Sequence, residues 1–391
     1  MNKIYADNAA TTPMSDTAKK TMIETMENCF GNASSLHSFG LQAASVLKKS
    51  RETMAKYLNA AEPREIYFTS GGSESVNQAI MTGVKYGARK NKKHIITTKI
   101  EHHAVLHMLE RLSKEGWDVT FLDVGKNGIV NPEDVANAVR EDTALVTIMY
   151  ANNEIGAIQP INEIGQICKE KKIIFHTDAV QAGGHLHIDV AGQNIDMLSL
   201  SAHKFNGPKG VGLLYCNKNI LPERLIEGGG HERGRRAGTE NIPGIASMAS
   251  AFEENCLKID EHTKYISKLR DKLIAGFLKI PKSIVNGDLK NRLPGNVNMC
   301  FEGIEGESLL LMLDMRGIAA SSGSACTSGS LDPSHVLLAL GLSHEVAHGS
   351  LRISLSQYNT EEEIDYIIAT VPKVVARLRD MSPVWEKIVK G

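Results

Sequence analysis

The sequence has few of the features that mark secreted, membrane-bound or metal-binding proteins. Its 391 residues include six cysteines and no Cys-x-x-Cys pair, which argues against both a disulfide framework and a zinc site. No apolar run is long enough to span a bilayer, and the N-terminus lacks the continuous apolar core of a signal peptide. We therefore expect a cytoplasmic protein with no membrane partner.

An excess of charge of one sign is also missing. Lys and Arg total 44 and Asp and Glu total 45, a balance that favours no nucleic-acid partner through bulk charge. Hydrophobic residues at 42% and charged residues at 23% are typical of a soluble globular protein. Because the chain is too long for one ordinary core, we expect two domains.

Strand-like segments alternate with helical ones through the first half of the chain. Strands are predicted at residues 65–69, 94–98, 118–122, 144–149, 172–177 and 197–200. Helices are predicted at residues 15–28 and about 41–58, and further helices begin near residues 70, 101, 132 and 161. This order predicts an α/β fold with a mainly parallel sheet between helices, and ligands of such sheets bind at the carboxyl ends of the strands.

The pattern changes after Asn241, where one long helical segment reaches about Phe277. The elements predicted beyond it are a strand, a helix, a Gly/Ser loop and a C-terminal helix, at residues 296–300, near 309, at 321–330 and from 360. We expect a large domain of residues 14–255 and a smaller α+β domain formed by residues 1–13 and 256–391.

Lys204 stands where an apolar run ends and a turn containing Gly207, Pro208 and Gly210 begins. A desolvated lysine held in this way could form a Schiff base, because its amine would be nucleophilic. The alternative is a solvated surface lysine, which is the usual state of a lysine in a Gly/Pro loop.

Two further groups follow predicted strands. Ser-Gly-Gly-Ser-Glu-Ser at residues 70–75 offers backbone N–H groups and the Ser73 hydroxyl at a helix N-terminus, which could cradle a phosphate or form an ordinary cap. Asp-Ala-Val-Gln at residues 178–181 offers a carboxylate for a protonated ring nitrogen and an amide for a phenolic oxygen. Asp178 could instead cap a helix.

The motif Glu-His-His-Ala at residues 101–104 also follows a strand. A histidine there could stack over a flat cofactor ring and exchange protons near neutral pH, or it could be structural. His103 and His107 could form a metal pair at i, i+4, but no third ligand stands at a recognisable spacing. We therefore expect no metal site.

Cys326 stands among small polar residues, which predicts an exposed loop rather than a buried thiol; the other five cysteines have the character of core residues. Arg352 could bind a carboxylate bidentately or form a surface ion pair.

Seven motifs in one order resemble those of the class I cysteine desulfurases of the NifS/IscS type, which depend on pyridoxal 5'-phosphate. The motifs occupy residues 5–13, 101–102, 152–156, 178–181, 203–210, 228–234 and 322–333. The resemblance covers nearly the whole chain. It implies the PLP-dependent transferase fold type I, whose large domain has a mainly parallel seven-stranded sheet flanked by helices.

The resemblance also implies a role for each matching residue. Lys204 would bind the cofactor covalently, Asp178 would pair with its pyridinium nitrogen, and His102 would stack on its ring. Further cofactor contacts would come from Gly72, Ser73, Asn153, Gln181, Ser201, His203 and Thr239, of which Thr239 would reach in from the second subunit of a homodimer. The substrate carboxylate would be held by Asn32, Asn153 and Arg352.

The implied reaction removes sulfur from L-cysteine and gives L-alanine and a persulfide on Cys326, with Lys204 and His102 as the other catalytic residues. The sulfur would pass to an iron-sulfur scaffold protein or another acceptor, for iron-sulfur cluster assembly, thio-cofactors or tRNA thiolation. Two alternatives remain. Another fold-type-I enzyme, such as an aminotransferase or a selenocysteine lyase, would not need Cys326, and a non-catalytic scaffold would have inherited only the fold.

Overall fold

The computed structural model describes residues 3–322 and 333–390. Its strands are β1 Ile4–Tyr5, β2 Ile66–Thr69, β3 His94–Thr98, β4 Asp118–Leu122, β5 Thr143–Thr147, β6 Ile174–Asp178, β7 Met197–Ser201, β8 Gly212–Cys216, β9 Ser283–Val285, β10 Asn296–Phe301, β11 Ile318–Ala319 and β12 Ser350–Ser354. Its helices are α1 Asp16–Asn28, α2 Ser38–Leu58, α3 Gly72–Ala88, α4 His103–Lys114, α5 Pro132–Ala138, α6 Ile161–Lys171, α7 His231–Gly234, α8 Ile242–Cys256, α9 Ile259–Phe277, α10 Gly306–Asp314, α11 His335–Ala339, α12 His344–His348, α13 Glu361–Asp380 and α14 Pro383–Lys390. No helix within the described ranges is both long enough and apolar enough to cross a membrane.

Seven strands form one sheet in the order β2-β8-β7-β6-β5-β3-β4. β8 runs antiparallel to both of its neighbours, β2 and β7, and all other adjacent strands are parallel. Both faces of this sheet are covered, because consecutive residues enter different cores. Ile95 and Leu145 pack into one core, while Ile96 and Val146 pack into the other. The mainly parallel sheet predicted from the strand pattern and the seven strands implied by the family resemblance are therefore confirmed.

Most predicted elements are found close to their predicted bounds, and among the features that were not predicted, two have a clear physical reason. β8 was missed because its five residues follow the glycine turn after Lys204 and return antiparallel, outside the repeated strand–helix pattern. The helical segment expected to reach Phe277 is two helices, α8 and α9, separated at Leu257 and Lys258. No glycine or proline marks this break, so the composition is helical throughout.

A separate core lies in the C-terminal part of the chain. β12, β10 and β9 form an antiparallel sheet, and its core cluster joins residues from α9, α10 and α13 with Ile4 and Ala6 from the N-terminus. β1 pairs in parallel with β11, which draws the N-terminal segment to this region. The proposed division into residues 14–255 and residues 1–13 with 256–391 stays a prediction.

Candidate active site

A cavity of about 300 Å³ opens at the carboxyl ends of the central strands. Its walls come from the segments that follow β3, β5, β6 and β7, from the first turn of α3 and from the N-terminal segment. The structure brings most of the predicted site residues together here: Gly72, Ser73, His102, Asn153, Asp178, Gln181, Ser201, His203, Lys204 and Arg352.

Lys204 ends a short 3-10 helix, Ala202–Lys204, that follows β7 directly. The next turn is tight. Asn206 adopts a left-handed conformation with φ 63°, and a Cβ at Gly207 would lie 2.9 Å from the Ala202 Cβ atom. His185 Nε2 donates a hydrogen bond to the Lys204 carbonyl oxygen at 2.9 Å. This bond and the tight turn after Lys204 together fix the backbone of the lysine.

The Lys204 amine is held by the N-terminal segment. Its Nζ atom donates hydrogen bonds to the carbonyl oxygens of Ala9 at 2.6 Å and Ala10 at 2.8 Å. Gln181 Nε2 donates to the same Ala9 carbonyl at 3.0 Å. The motif at residues 5–13 thus supplies backbone acceptors to the cavity, a role that the side chains of Ala9 and Ala10 do not reveal in the sequence.

Asp178 is the last residue of β6 and is 6% exposed. It accepts a hydrogen bond from the Val180 N–H at 3.0 Å, so it makes a local turn contact as well as lining the cavity. Burial raises the pKa of Asp178 to about 6, while this hydrogen bond and the charge of Lys204 oppose the rise. A cation placed beside the carboxylate would lower the pKa again, which suits pairing with a protonated ring nitrogen.

His102 is the N-cap residue of α4, and its Nδ1 accepts a hydrogen bond from the Ala104 N–H at 3.1 Å. Because Nδ1 is an acceptor, the neutral imidazole carries its proton on Nε2. Burial lowers the pKa of His102 to about 4, and the positive charge of Lys204 contributes to this decrease. A neutral, flat ring with one exchangeable proton therefore lines the cavity.

The N-terminus of α3 lies at the wall of the cavity, where helix N–H groups favour an anion. Its N-cap is Gly71, and no side chain of the described residues caps it. A Cβ at Gly72 would lie 2.8 Å from Val180 Cγ2, so glycine preserves the space. The hydroxyls of Ser73 and Ser201 line the same cavity beside N–H groups that favour a phosphate.

His203 contributes a ring beside these hydroxyls. Its Nδ1 is hydrogen-bonded to Thr11 Oγ1 at 3.1 Å. Burial lowers the pKa of His203 to about 4, with further decreases from the charges of Lys204 and Lys209. His203 is therefore a neutral hydrogen-bonding group at neutral pH.

Arg352 on β12 lines the cavity although its side chain is only 3% exposed. Its Nη1 donates to the Asn153 carbonyl oxygen at 3.1 Å, and its Nη2 donates to Asp7 Oδ1 at 2.9 Å. The buried Nε atom has no hydrogen-bond partner among the described residues. A guanidinium with spare donors at a cavity wall can bind a carboxylate.

These groups fit pyridoxal 5'-phosphate. The cavity offers an anion site at a glycine-built helix N-terminus, a buried carboxylate, a flat neutral imidazole and a lysine amine. Gly72, Ser73, Ser201 and His203 would hold its phosphate, and Asp178 would hold its ring nitrogen.

Three predicted site residues are not among those that line the cavity. Asn32 is exposed after α1, where its Oδ1 accepts a hydrogen bond from the Ser34 N–H at 2.9 Å. Thr239 is exposed after α7 and lines a separate small space together with Arg236. Cys326 lies outside the described residues. The roles given to these three stay predictions.

The metal alternative has no support within residues 3–322 and 333–390. The His103 ring lies 5.1 Å from that of His107 and 4.8 Å from that of His335, measured between centroids. No group of three or more His, Cys, Asp or Glu side chains in these ranges could hold a metal ion.

Two buried carboxyl groups beside predicted site residues were given no role from the sequence. Burial raises the pKa of Glu101 to about 8 and that of Glu154 to about 7. Glu101 precedes His102, and Glu154, which accepts a hydrogen bond from Ser334, follows Asn153. Both lie in motifs that carry the family resemblance, at residues 101–102 and 152–156, but the sequence assigned them no role.

Comparisons with known proteins agree with this geometry. Residues 4–367 match the family model described as aminotransferase class-V. The chain is 53% identical to the cysteine desulfurase IscS of Clostridium botulinum over 395 residues, covering 100% of this chain and 99% of that one. It is 47% identical to the cysteine desulfurase NifS of Azotobacter vinelandii over 386 residues, covering 98% of this chain and 96% of that one.

A solved structure titled NifS-like protein is also similar, with a TM-score of 0.90 and 39% identity over 96% of this chain and 100% of that one. The residues matched by the family model include the Lys204 turn, the N-terminus of α3, Asp178 and His102. The chain therefore belongs to the aminotransferase class-V family, among the IscS- and NifS-type cysteine desulfurases that depend on pyridoxal 5'-phosphate.

Proposed function

We propose that this cavity removes sulfur from L-cysteine to give L-alanine and a persulfide on Cys326. The observation that carries the proposal is the convergence of Lys204, Asp178, His102 and Arg352 on one cavity in a chain of this family. When bound, pyridoxal 5'-phosphate supplies an electron sink for the bond changes at the substrate.

Each of the cavity residues has its own role in the proposed reaction. Arg352, helped by Asn153 and Asn32, holds the substrate carboxylate and so fixes which bond faces the ring. Lys204 Nζ takes the α-proton of L-cysteine and returns a proton later in the cycle. His102 Nε2 exchanges the proton of the substrate thiol.

Cys326 receives the sulfur. Its thiolate attacks the substrate sulfur, the carbon–sulfur bond breaks with its electron pair staying on carbon, and protonation of that carbon leads to L-alanine. The persulfide sulfur then passes to an iron-sulfur scaffold protein or another acceptor. A reduced Cys326 is needed at the start of each cycle, which supports a cytoplasmic location.

The chain acts as a homodimer in this proposal, with Thr239 reaching the cofactor of the partner. Exposed apolar side chains in one stretch of sequence support this, namely those of Ile23, Met26, Phe30, Leu36, Phe39 and Leu41. Sedimentation equilibrium checks it, and a monomer across micromolar concentrations would contradict it.

The test of function compares wild type, Cys326→Ala and Cys256→Ala, because Cys256 is a partly buried cysteine on α8 outside the cavity. Each protein is purified, its visible spectrum is recorded, and sulfide and alanine are measured with L-cysteine and dithiothreitol. We expect three yellow proteins, of which only Cys326→Ala releases no sulfide. Equal turnover by all three would favour an aminotransferase or lyase, and a colourless wild type would favour a non-catalytic scaffold.

A further inference from the structure

Glu101 is a buried carboxyl group that the proposed chemistry does not use. Its side chain is 1% exposed, and both of its oxygens accept a hydrogen bond from the Met149 backbone N–H, at 3.0 Å each. Thr98 Oγ1 donates to Glu101 Oε1 at 2.6 Å. Burying a carboxyl group costs free energy, and these hydrogen bonds offset part of that cost.

These contacts join two segments that leave the sheet side by side. Thr98 is the last residue of β3, and Met149 lies two residues beyond the end of the adjacent parallel strand β5. Asn152 Nδ2 adds a bond between the same segments by donating to the Ile100 carbonyl oxygen at 2.9 Å. The backbone at residues 98–101 is therefore fixed against residues 149–152, of which Met149 and Ala151 line the cavity.

His102 follows this junction directly. Its ring is oriented by the Ala104 N–H, a contact within its own helix, so the position of the ring in the cavity depends on where the backbone of residues 101–102 lies. Glu101 holds that backbone from two sides. Its side chain binds Met149, and its carbonyl oxygen accepts a hydrogen bond from His335 Nε2 at 3.0 Å.

We propose that Glu101 is a positioning residue that fixes the place of the His102 ring in the cavity through its hydrogen bonds to Met149 and Thr98. This inference rests on the role proposed above for His102. Glu101 itself is not among the residues that line the cavity.

The charge state of Glu101 agrees with such a role. Burial raises its pKa to about 8, and the negative charge of Asp178 adds to the rise. At neutral pH Glu101 is therefore largely a neutral acid, which leaves Asp178 as the charged carboxylate for the ring nitrogen. A glutamine can reproduce a neutral acid here, because its amide oxygen accepts from Met149 and its amide N–H donates to Thr98.

The experiment is a double-mutant cycle on the holoenzyme, with wild type, Glu101→Ala, His102→Gln and the double variant. With His102 present, Glu101→Ala should lower kcat for sulfide release about 30-fold, because small displacements of a catalytic group reduce rates by up to about a hundredfold. In the His102→Gln background the same substitution should lower kcat less than about threefold, because the effects of substitutions at residues that act together are not additive. Glu101→Gln should stay within about threefold of wild type, since it keeps the hydrogen bonds.

The visible circular dichroism of the bound cofactor gives a second readout, independent of turnover. The band of Glu101→Ala should shift toward that of His102→Gln, while Glu101→Gln should keep the wild-type band. If Glu101→Ala does not fold, Glu101→Leu, which fills the volume without hydrogen bonds, takes its place in the cycle.

Equal losses in both backgrounds would show that Glu101 acts through packing alone and would overturn the inference, while the role of His102 would stand. A Glu101→Gln variant as impaired as Glu101→Ala would overturn it too. If the kcat of His102→Gln equalled that of wild type, His102 would not have its proposed catalytic role. This inference, which depends on that role, would then be overturned as well.

Discussion

Arg352 Nη2 donates a hydrogen bond to Asp7 Oδ1 at 2.9 Å in a wall of the cavity where the arginine side chain is 3% exposed. Asp7 is therefore a partner that orients Arg352 before any substrate arrives, together with the Asn153 carbonyl oxygen. A donor held in this way loses little conformational freedom when it binds a carboxylate.

Arg352→Lys should therefore weaken substrate binding more than catalysis. Arg352 contacts the Asn153 carbonyl and Asp7 through two different nitrogens of its planar fork, and a lysine has one compact ammonium that cannot reproduce this bidentate geometry toward a carboxylate. Hydrogen bonds to charged groups are worth roughly 1.5–3 kcal/mol, so KM for L-cysteine should rise about ten- to hundredfold. Arg111→Lys on the exposed face of α4 is the control, and an unchanged KM in Arg352→Lys would remove Arg352 from the substrate site.

Gly72→Ala should weaken cofactor binding by closing the phosphate end of the cavity. The added Cβ would lie 2.8 Å from Val180 Cγ2 at the N-terminus of α3, so either the loop or the valine must move. We expect at least about a tenfold rise in the dissociation constant of pyridoxal 5'-phosphate, measured by titrating the apoenzyme at its visible absorbance band.

Val180→Ala in the Gly72→Ala chain is the matched test, because it removes the methyl group that the new Cβ would meet. The double variant should recover part of the lost affinity. A double variant as weak as Gly72→Ala would show that the loss does not come from this contact.

Strand-end chemistry explains why so much of the site was predictable. Asp178, His102 and Lys204 each lie at or shortly after the end of a strand, and parallel strands bring such residues to one edge whatever the details of packing. The sheet itself was predictable because its first four predicted strands were each followed by a turn and a helix.

Contacts made by the backbone were not predictable in the same way. The acceptors of Lys204 Nζ are the carbonyl oxygens of Ala9 and Ala10, more than 190 residues away in sequence, and every residue has a carbonyl oxygen. Glu101 was missed because its importance depends on which N–H the carboxyl group meets, and Met149 is brought to it by the pairing of β3 with β5.

Stability should fall as pH rises from about 6.5 to about 8.5. Burial raises the pKa values of Asp178, Glu154 and Glu101 to about 6, 7 and 8, so the native state holds protons that the unfolded chain has released. Because stability decreases with pH wherever the native state binds more protons, each of these groups contributes a slope of at most about 1.4 kcal/mol per pH unit.

Below this window buried histidines act in the opposite direction. Burial lowers the pKa values of His102 and His203 to about 4, so between about pH 4 and 6.5 these two groups bind more protons in the unfolded chain and offset part of the slope that the buried carboxyl groups give there. The apoprotein should thus lose stability less steeply below pH 6.5 than just above it.

Urea denaturation of the apoprotein at several pH values measures the free energy of unfolding both below and above pH 6.5. Glu154→Gln should flatten the fall above pH 6.5, because it removes one of the protons involved. Glu110→Gln, an exposed residue on α4, is the control and should keep the wild-type profile. A Glu154→Gln profile parallel to wild type would show that Glu154 does not titrate in this range.

The buried pair of Arg51 and Glu232 should be strongly coupled in stability. Glu232 accepts from Arg51 at 2.9 and 2.7 Å and from the Phe68 N–H at 3.1 Å, so it ties α2 and the segment after β8 to β2. Glu232→Gln should lower the free energy of unfolding by about 3 kcal/mol, because it leaves the buried arginine without an opposite charge.

Arg51→Met in the same chain removes that charge, so the double variant should be more stable than the sum of the two single changes by about 2 kcal/mol. Urea denaturation of the four apoproteins measures this coupling. Lys20→Met with Glu24→Gln is the matched control, an exposed pair on α1 whose coupling should stay below about 0.5 kcal/mol. Additive losses at Arg51 and Glu232 would mean that the two groups stabilise the fold independently. A strong coupling would show that the stability of β2, the strand before the N-terminus of α3, depends on this ion pair.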